Sequence, residues 1–117
     1  MAPLPLLAAI AALMPVFGVP DSTFELSVTR GEVVQAIALV CEPAGGDHPK
    51  AEQACAALST VDGEISRLTE DNVACTMEYD PVTVTATGLW HGEIRGFTAQ
   101  YSNPCVMRAA TGPVFDF

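Results

Sequence analysis

Four cysteines, Cys41, Cys55, Cys75 and Cys105, and two histidines, His48 and His91, carry most of the reactive chemistry available to this 117-residue sequence. None of the cysteines sits in a CxxC pair and neither histidine has a ligand-like neighbour at zinc-finger spacing, so a metal site is a poor fit. An even number of cysteines in so short a chain fits disulfides and an oxidising, extracellular compartment. Four cysteines permit three pairings. The sequential one closes the shortest loops, and in the chain-entropy treatment each such bridge stabilises by about 3–4 kcal/mol. An enzyme would need a nucleophile, a base and an orienting group, yet neither GxSxG nor HExxH occurs. His91, beside Trp90 in a turn, reads as a surface residue, and His48, in a Gly/Pro-rich loop, reads as solvated. The sequence is therefore read as a non-enzyme without metal or cofactor.

One stretch fits neither a helical nor a strand period: Val73-Ala74-Cys75-Thr76-Met77-Glu78-Tyr79-Asp80-Pro81. Met77 stands two residues after a cysteine, with polar neighbours, and a proline ends the segment. A lone methionine is ordinarily packing material. If Cys75 is bridged to Cys105, however, Asn103 lies two residues before that partner. Its amide, both donor and acceptor, then comes near the backbone of Thr76 to Glu78. A loop tied at its shoulder and braced from beneath is what a protease-binding peptide requires.

The rest of the chain must supply the frame. Its length suits one domain. Half the residues are hydrophobic, which argues against disorder. Phe24, Leu26 and Val28 alternate with Glu25, Ser27 and Thr29, the pattern of a half-buried strand. Arg30-Gly31 turns the chain into a second, more continuously apolar strand, Val33 to Val40. The following Gly/Pro-rich stretch, Glu42 to Pro49, reads as a surface connection. Pro49 can open a helix in which Ala51, Cys55 and Leu58 share a face. Ser59-Thr60-Val61-Asp62 resembles a capping box ahead of a second stripe, Ile65 and Leu68. Strand chemistry returns at Val82 to Thr87, with Gly88 to Gly92 as a hairpin connection and a return strand through Ile94, Phe97 and Tyr101. Val114-Phe115-Asp116-Phe117 reads as a last short strand. The sum is an α+β domain: an antiparallel sheet of about five strands with one or two short helices. Trp90 is expected at the core or at a subunit interface.

A net charge of −9, from 14 acidic against 5 basic residues, excludes nucleic acid as a partner and resists anionic membrane surfaces. Residues 1 to 20 carry no charged side chain and have signal-peptide length, although a basic leading segment is missing. They read as an atypical signal peptide or an apolar N-terminal arm, ahead of a domain over residues 21–117.

The four cysteines with their spacing, the Cys75-Thr76-Met77-Glu78-Tyr79-Asp80-Pro81 loop and the Gly88-Leu89-Trp90-His91-Gly92 turn together resemble the bacterial subtilisin inhibitor family of streptomycetes. Ser102-Asn103-Pro104-Cys105 and the terminal Val114-Phe115-Asp116-Phe117 extend the likeness over most of the region from Phe24 to Phe117. The resemblance implies a five-stranded antiparallel sheet with two short helices, a homodimer formed through the sheets, and disulfides Cys41–Cys55 and Cys75–Cys105. It implies a secreted inhibitor of subtilisin-like, and also chymotrypsin-like, serine proteases. Met77 would enter the protease's primary pocket and Met77-Glu78 would be the reactive bond. Val73, Ala74, Cys75, Thr76 and Tyr79 would complete the protease-binding loop, with Asn103 as its support. Glu78 departs from the apolar residue frequent in the family, which should narrow the range of proteases accepted. A secreted dimeric binding module with an inhibitor-like fold and a non-protease target is the alternative. The two are separated by whether Met77 is exposed on a loop held by Cys75–Cys105 or packed in the core.

Overall fold

A computed structural model of the chain describes residues 20–69 and 72–117. The apolar stretch read as a signal peptide or N-terminal arm falls, apart from Pro20, outside the described residues.

The alternating residues of β1 (Ser22–Arg30) set the architecture. Phe24, Leu26 and Val28 are buried on one face, while Thr23 and Glu25 are exposed on the other. β1 is central in a five-stranded antiparallel sheet of order β3-β2-β1-β4-β5, formed with β2 (Val33–Cys41), β3 (Gly45–Gly46), β4 (Val82–Trp90) and β5 (Glu93–Tyr101). Strong alternation fixes register, because a slip of one residue would turn the apolar set out to water. At one end of the sheet Arg30 pairs with both Val33 and Val82; at the other, Ser22 pairs with both Cys41 and Trp90. The β4–β5 hairpin closes through His91 and Gly92, both at positive φ (46° and 83°), the hand that matches strand twist.

The buried face is covered by α1 (Ala51–Thr60), by a 3-10 turn at Ile65–Arg67, by α2 (Pro104–Thr111) and by the segment after it. Ala54, Cys55 and Leu58 of α1, Ile65, Met107 of α2, Val114 and Phe115 join the β1, β2 and β4 side chains in one core. Trp90 is 2% exposed and so belongs to this core; its indole N–H donates to Asp62 Oδ1 at 3.1 Å. The turn after α1 needs Gly63, since a Cβ there would meet the Trp90 ring at 2.5 Å. The middle of the other face of the sheet is built of small residues. Ala36, Ser27, Thr85 and Thr98 form one cross-strand row, within which the Ser27 and Thr85 hydroxyls are hydrogen-bonded to each other.

Several expectations are corrected. The fifth strand is not the terminal tetrapeptide but Gly45–Gly46, inside the stretch read as a plain connection; Asp116 and Phe117 take no regular structure, and Val114 and Phe115 lie in a turn, fully buried. Their apolar character serves burial beneath the sheet, not pairing. Helix α1 begins at Ala51, two residues after Pro49. Ser59 to Asp62 is the end of that helix and the turn beyond it, not a capping box. The stripe at Ile65 and Leu68 is a single 3-10 turn, and the second α-helix is Pro104–Thr111. His48 is buried, not solvated. Its Nδ1 accepts the Lys50 backbone N–H at 2.9 Å, so Nε2 carries the proton and donates to the Val114 carbonyl at 2.9 Å. A Gly/Pro-rich composition sets the path of the chain around His48, but the C-terminal segment supplies its cover.

Candidate functional site

Between the 3-10 turn and β4, residues 72–81 take no regular structure. Pro81 lacks an N–H and biases Asp80 towards an extended conformation, which suits a segment that must leave helix and arrive as strand. Met77 is 99% exposed and Tyr79 80%, the two largest apolar side chains turned outward here. Val73, Ala74, Thr76 and Glu78 are exposed as well, and Cys75 is half-buried. Apolar surface this free of packing is costly to leave in water, and its concentration on one loop marks an interaction site.

The loop is held from below by groups that lie outside it in sequence. Cys75 is bridged to Cys105 at the start of α2, with a Cα–Cα distance of 5.8 Å. The other disulfide is Cys41–Cys55, so of the three possible pairings the chain has the sequential one. Asn103 is 2% exposed, and both ends of its side-chain amide are hydrogen-bonded. Its Oδ1 accepts the Val106 N–H at 2.9 Å as the N-cap of α2, and Pro104 follows at the first helical position. The cap fixes the amide plane. The opposite side, Nδ2, then points at the loop and donates to the Glu78 carbonyl at 2.8 Å and the Thr76 carbonyl at 3.3 Å. These two carbonyls flank Met77, so a single side chain fixes the backbone on both sides of it.

The far shoulder has its own contacts. The Asp80 N–H donates to the Ser102 carbonyl at 2.8 Å. The Asp80 carboxylate takes both ends of the Arg30 guanidinium, Nε to Oδ1 at 3.1 Å and a second nitrogen to Oδ2. The hydrogen bond and charge of Asp80, and after it the negative charge of Glu78, push the Arg30 pKa above its ordinary value. Arg30 reaches Asp80 because the register puts it opposite Val82, two residues beyond Asp80.

The structure thus gathers Cys75, Thr76, Met77, Glu78, Asn103 and Cys105 into one assembly, with Val73, Ala74 and Tyr79 along the exposed edge. Cys41 and Cys55 lie apart from it in the core. Arg30 and Ser102 are partners the sequence reading did not assign. No local pattern announces the Arg30–Asp80 pair, which spans 50 residues and exists only through the register of β1 on β4. His91 lies at the opposite end of the sheet, stacked on Trp90 and hydrogen-bonded to Glu42. Among the described residues no three His, Cys, Asp or Glu side chains converge as a metal site, and no helix is long and apolar enough to cross a membrane.

Comparison with known proteins places this geometry in context. The family profile described as subtilisin inhibitor-like matches residues 20–103. A subtilase-type protease inhibitor of Streptomyces fradiae is 37% identical, the alignment covering 96% of this chain and 92% of that protein. Protease inhibitor SIL-V5 of Streptomyces luteoverticillatus is 39% identical over 93% of this chain and 99% of its own length. Among solved structures, Streptomyces caespitosus sermetstatin in complex with Bacillus licheniformis subtilisin superimposes with a TM-score of 0.65 at 36% identity, covering 82% of this chain and 98% of that one.

Proposed function

The chain belongs to the subtilisin inhibitor-like family, and from that premise we propose that it inhibits subtilisin-like serine proteases by offering Met77-Glu78 as a substrate-like bond. The observation that carries this reading is the combination at Met77: a side chain 99% exposed, on a backbone whose flanking carbonyls are both held by the buried Asn103 amide. A residue packed in the core would favour a binding module with another target; the exposure of Met77 speaks against that alternative.

The action is physical, and the protease supplies all the catalytic groups. An extended loop adds to the enzyme's cleft by strand-like backbone hydrogen bonds. Because Cys75–Cys105 and Asn103 have already fixed the backbone, little conformational freedom is lost on binding. Met77, unbranched and apolar, fits a hydrophobic primary pocket of the subtilisin or chymotrypsin kind and lacks the cation trypsin selects. Val73, Ala74, Cys75 and Thr76 line the cleft before the bond and Tyr79 after it. Glu78 places a carboxylate next to the bond, which restricts the proteases that tolerate it.

Residues 21–117 constitute the inhibitory domain in this proposal, and residues 1–20 an export signal, in keeping with two disulfides that need an oxidising compartment. Homodimerisation through the sheet is supported by its outer face. There small residues, Ala36, Ser27, Thr85 and Thr98, run between exposed apolar side chains at Val34 (61%), Leu89 (43%) and Ile94 (84%). Titration of the oxidised protein against subtilisin, read on a chromogenic substrate, tests the proposal. Stoichiometric inhibition that disappears on reduction is the expected result. Absence of inhibition by folded protein, persisting in Glu78→Val, would replace it with the binding-module reading.

A further inference from the structure

The two sides of the Met77-Glu78 bond are not held alike. On the Met77 side the loop is fixed covalently, by Cys75 two residues before the bond. On the Glu78 side no covalent tie exists. The segment is held by the Asn103 bond to the Glu78 carbonyl, by Asp80 N–H to Ser102, and by the Arg30–Asp80 ion pair. Among the described residues that last contact is the one that ties the Glu78 side to β1; the other two lead to the Ser102-Asn103 segment between β5 and α2.

The asymmetry matters once a protease attacks. The enzyme's serine oxygen bonds to the Met77 carbonyl carbon, the C–N bond to Glu78 breaks, and the proton from the serine ends on the Glu78 nitrogen. The Glu78 amine can then return to the ester carbon, re-forming the peptide bond and the free serine. Alternatively water takes its place, leaving a Met77 carboxylate and a Glu78 ammonium. Which wins depends on how closely the amine is kept to the ester, an effective-concentration question. We propose that Arg30, through Asp80, is the positioning residue that keeps the Glu78 amine in place, and so decides whether the chain acts as an inhibitor or as a slow substrate. The proposal rests on the inhibitor reading above. The guanidinium–carboxylate fork suits this role because two parallel bonds fix direction as well as distance. Arg108 lines the same cleft but forms no ion pair among the described residues, which makes it a control for a general effect of positive charge.

The experiment follows intact and cleaved protein by mass spectrometry, alongside residual subtilisin activity, over hours at equimolar ratio. Arg30→Met should inhibit at first and then release activity, cleaved chain accumulating about fivefold faster than in the wild type. Asp80→Asn, which keeps the backbone bond to Ser102, should do the same, and Arg30→Lys should recover part of the difference. Arg108→Met should match the wild type. Raising salt should speed wild-type cleavage towards the Arg30→Met rate and leave that variant unmoved, a response that loss of packing would not give. Cleavage of Arg30→Met and Asp80→Asn at the wild-type rate would overturn the positioning role while inhibition stands. A wild type that never inhibits would instead remove the reading beneath it. If Arg30→Met does not fold, Asp80→Asn alone decides.

Discussion

The two disulfides have nearly the same local dimensions and opposite surroundings. Cys41–Cys55 joins the end of β2 to α1, with Cα atoms 5.6 Å apart and side chains 1% and 9% exposed. Cys75–Cys105 joins an irregular, solvent-facing segment to the first turn of α2, with Cα atoms 5.8 Å apart. Their sequence separations are 14 and 30 residues. The chain-entropy treatment assigns them about 3 and just under 4 kcal/mol respectively. Stability alone therefore hardly separates the two. What separates them is the state of the chain each one restrains: a packed interface that hydrophobic burial already favours, or a loop whose side chains face water and which has no core of its own.

Substitutions in each region probe that contrast, in falling order of expected effect. Met77→Lys changes only the exposed tip and leaves both bridges intact. Its inhibition constant for trypsin should improve by about a thousandfold, the scale of a buried interface anchor, without change in melting temperature. Trypsin inhibition that stays absent would show that this bond does not set specificity. Replacing both Cys75 and Cys105 by Ala should weaken inhibition of subtilisin by about a hundredfold, the cost of ordering one or two freed residues on binding. Loss of either bridge should lower the melting temperature by a similar amount, but the same change at Cys41 and Cys55 should leave the folded fraction inhibitory. Equal loss of inhibition in both pairs, measured at a temperature where each variant is folded, would erase the distinction.

Asn103 lies on the border between the two regions and sharpens it further. Asn103→Asp keeps an oxygen to cap α2 but sets a buried carboxylate oxygen against the Thr76 and Glu78 carbonyls, so inhibition should fall about tenfold and stability should drop by about 2 kcal/mol or more. Asn103→Ala loses the cap and both carbonyl bonds but introduces no charge, and should cost about 1–2 kcal/mol in chemical denaturation. The smallest effect belongs to the far end of the sheet. Glu42→Gln removes the charge facing His91 in an exposed pair and should change stability by less than about 0.5 kcal/mol, with inhibition unmoved.

The sequence announced the frame where one physical rule dominated. β1, β4 and the helical face of Cys55 and Leu58 follow from periodicity, because burial on one side imposes it. It misled where apolar residues serve a different purpose: Val114 and Phe115 alternate with nothing, since they plug the underside of the sheet from a turn. Helix α2 was signalled after all. Asn103-Pro104 is a cap followed by a first-turn proline, and Gly112 stands just past the end. Reading Asn103 only as a loop support hid its second role. The loop itself was legible as the segment matching neither period. Its ion pair was not, because nothing local relates Arg30 to Asp80 until two strands have found their register.

Apart from Cys75, the bonds that shape residues 75–79 involve main-chain carbonyls, and their donors come from Asn103, a residue outside the loop. Thr76, Met77, Glu78 and Tyr79 can therefore be exchanged without touching the frame that positions them. Such an arrangement separates two evolutionary tasks in one small domain. The scaffold can stay constant under selection for folding, while the exposed residues drift or are replaced as the proteases they meet change. A new target then calls for a new side chain, not a new protein.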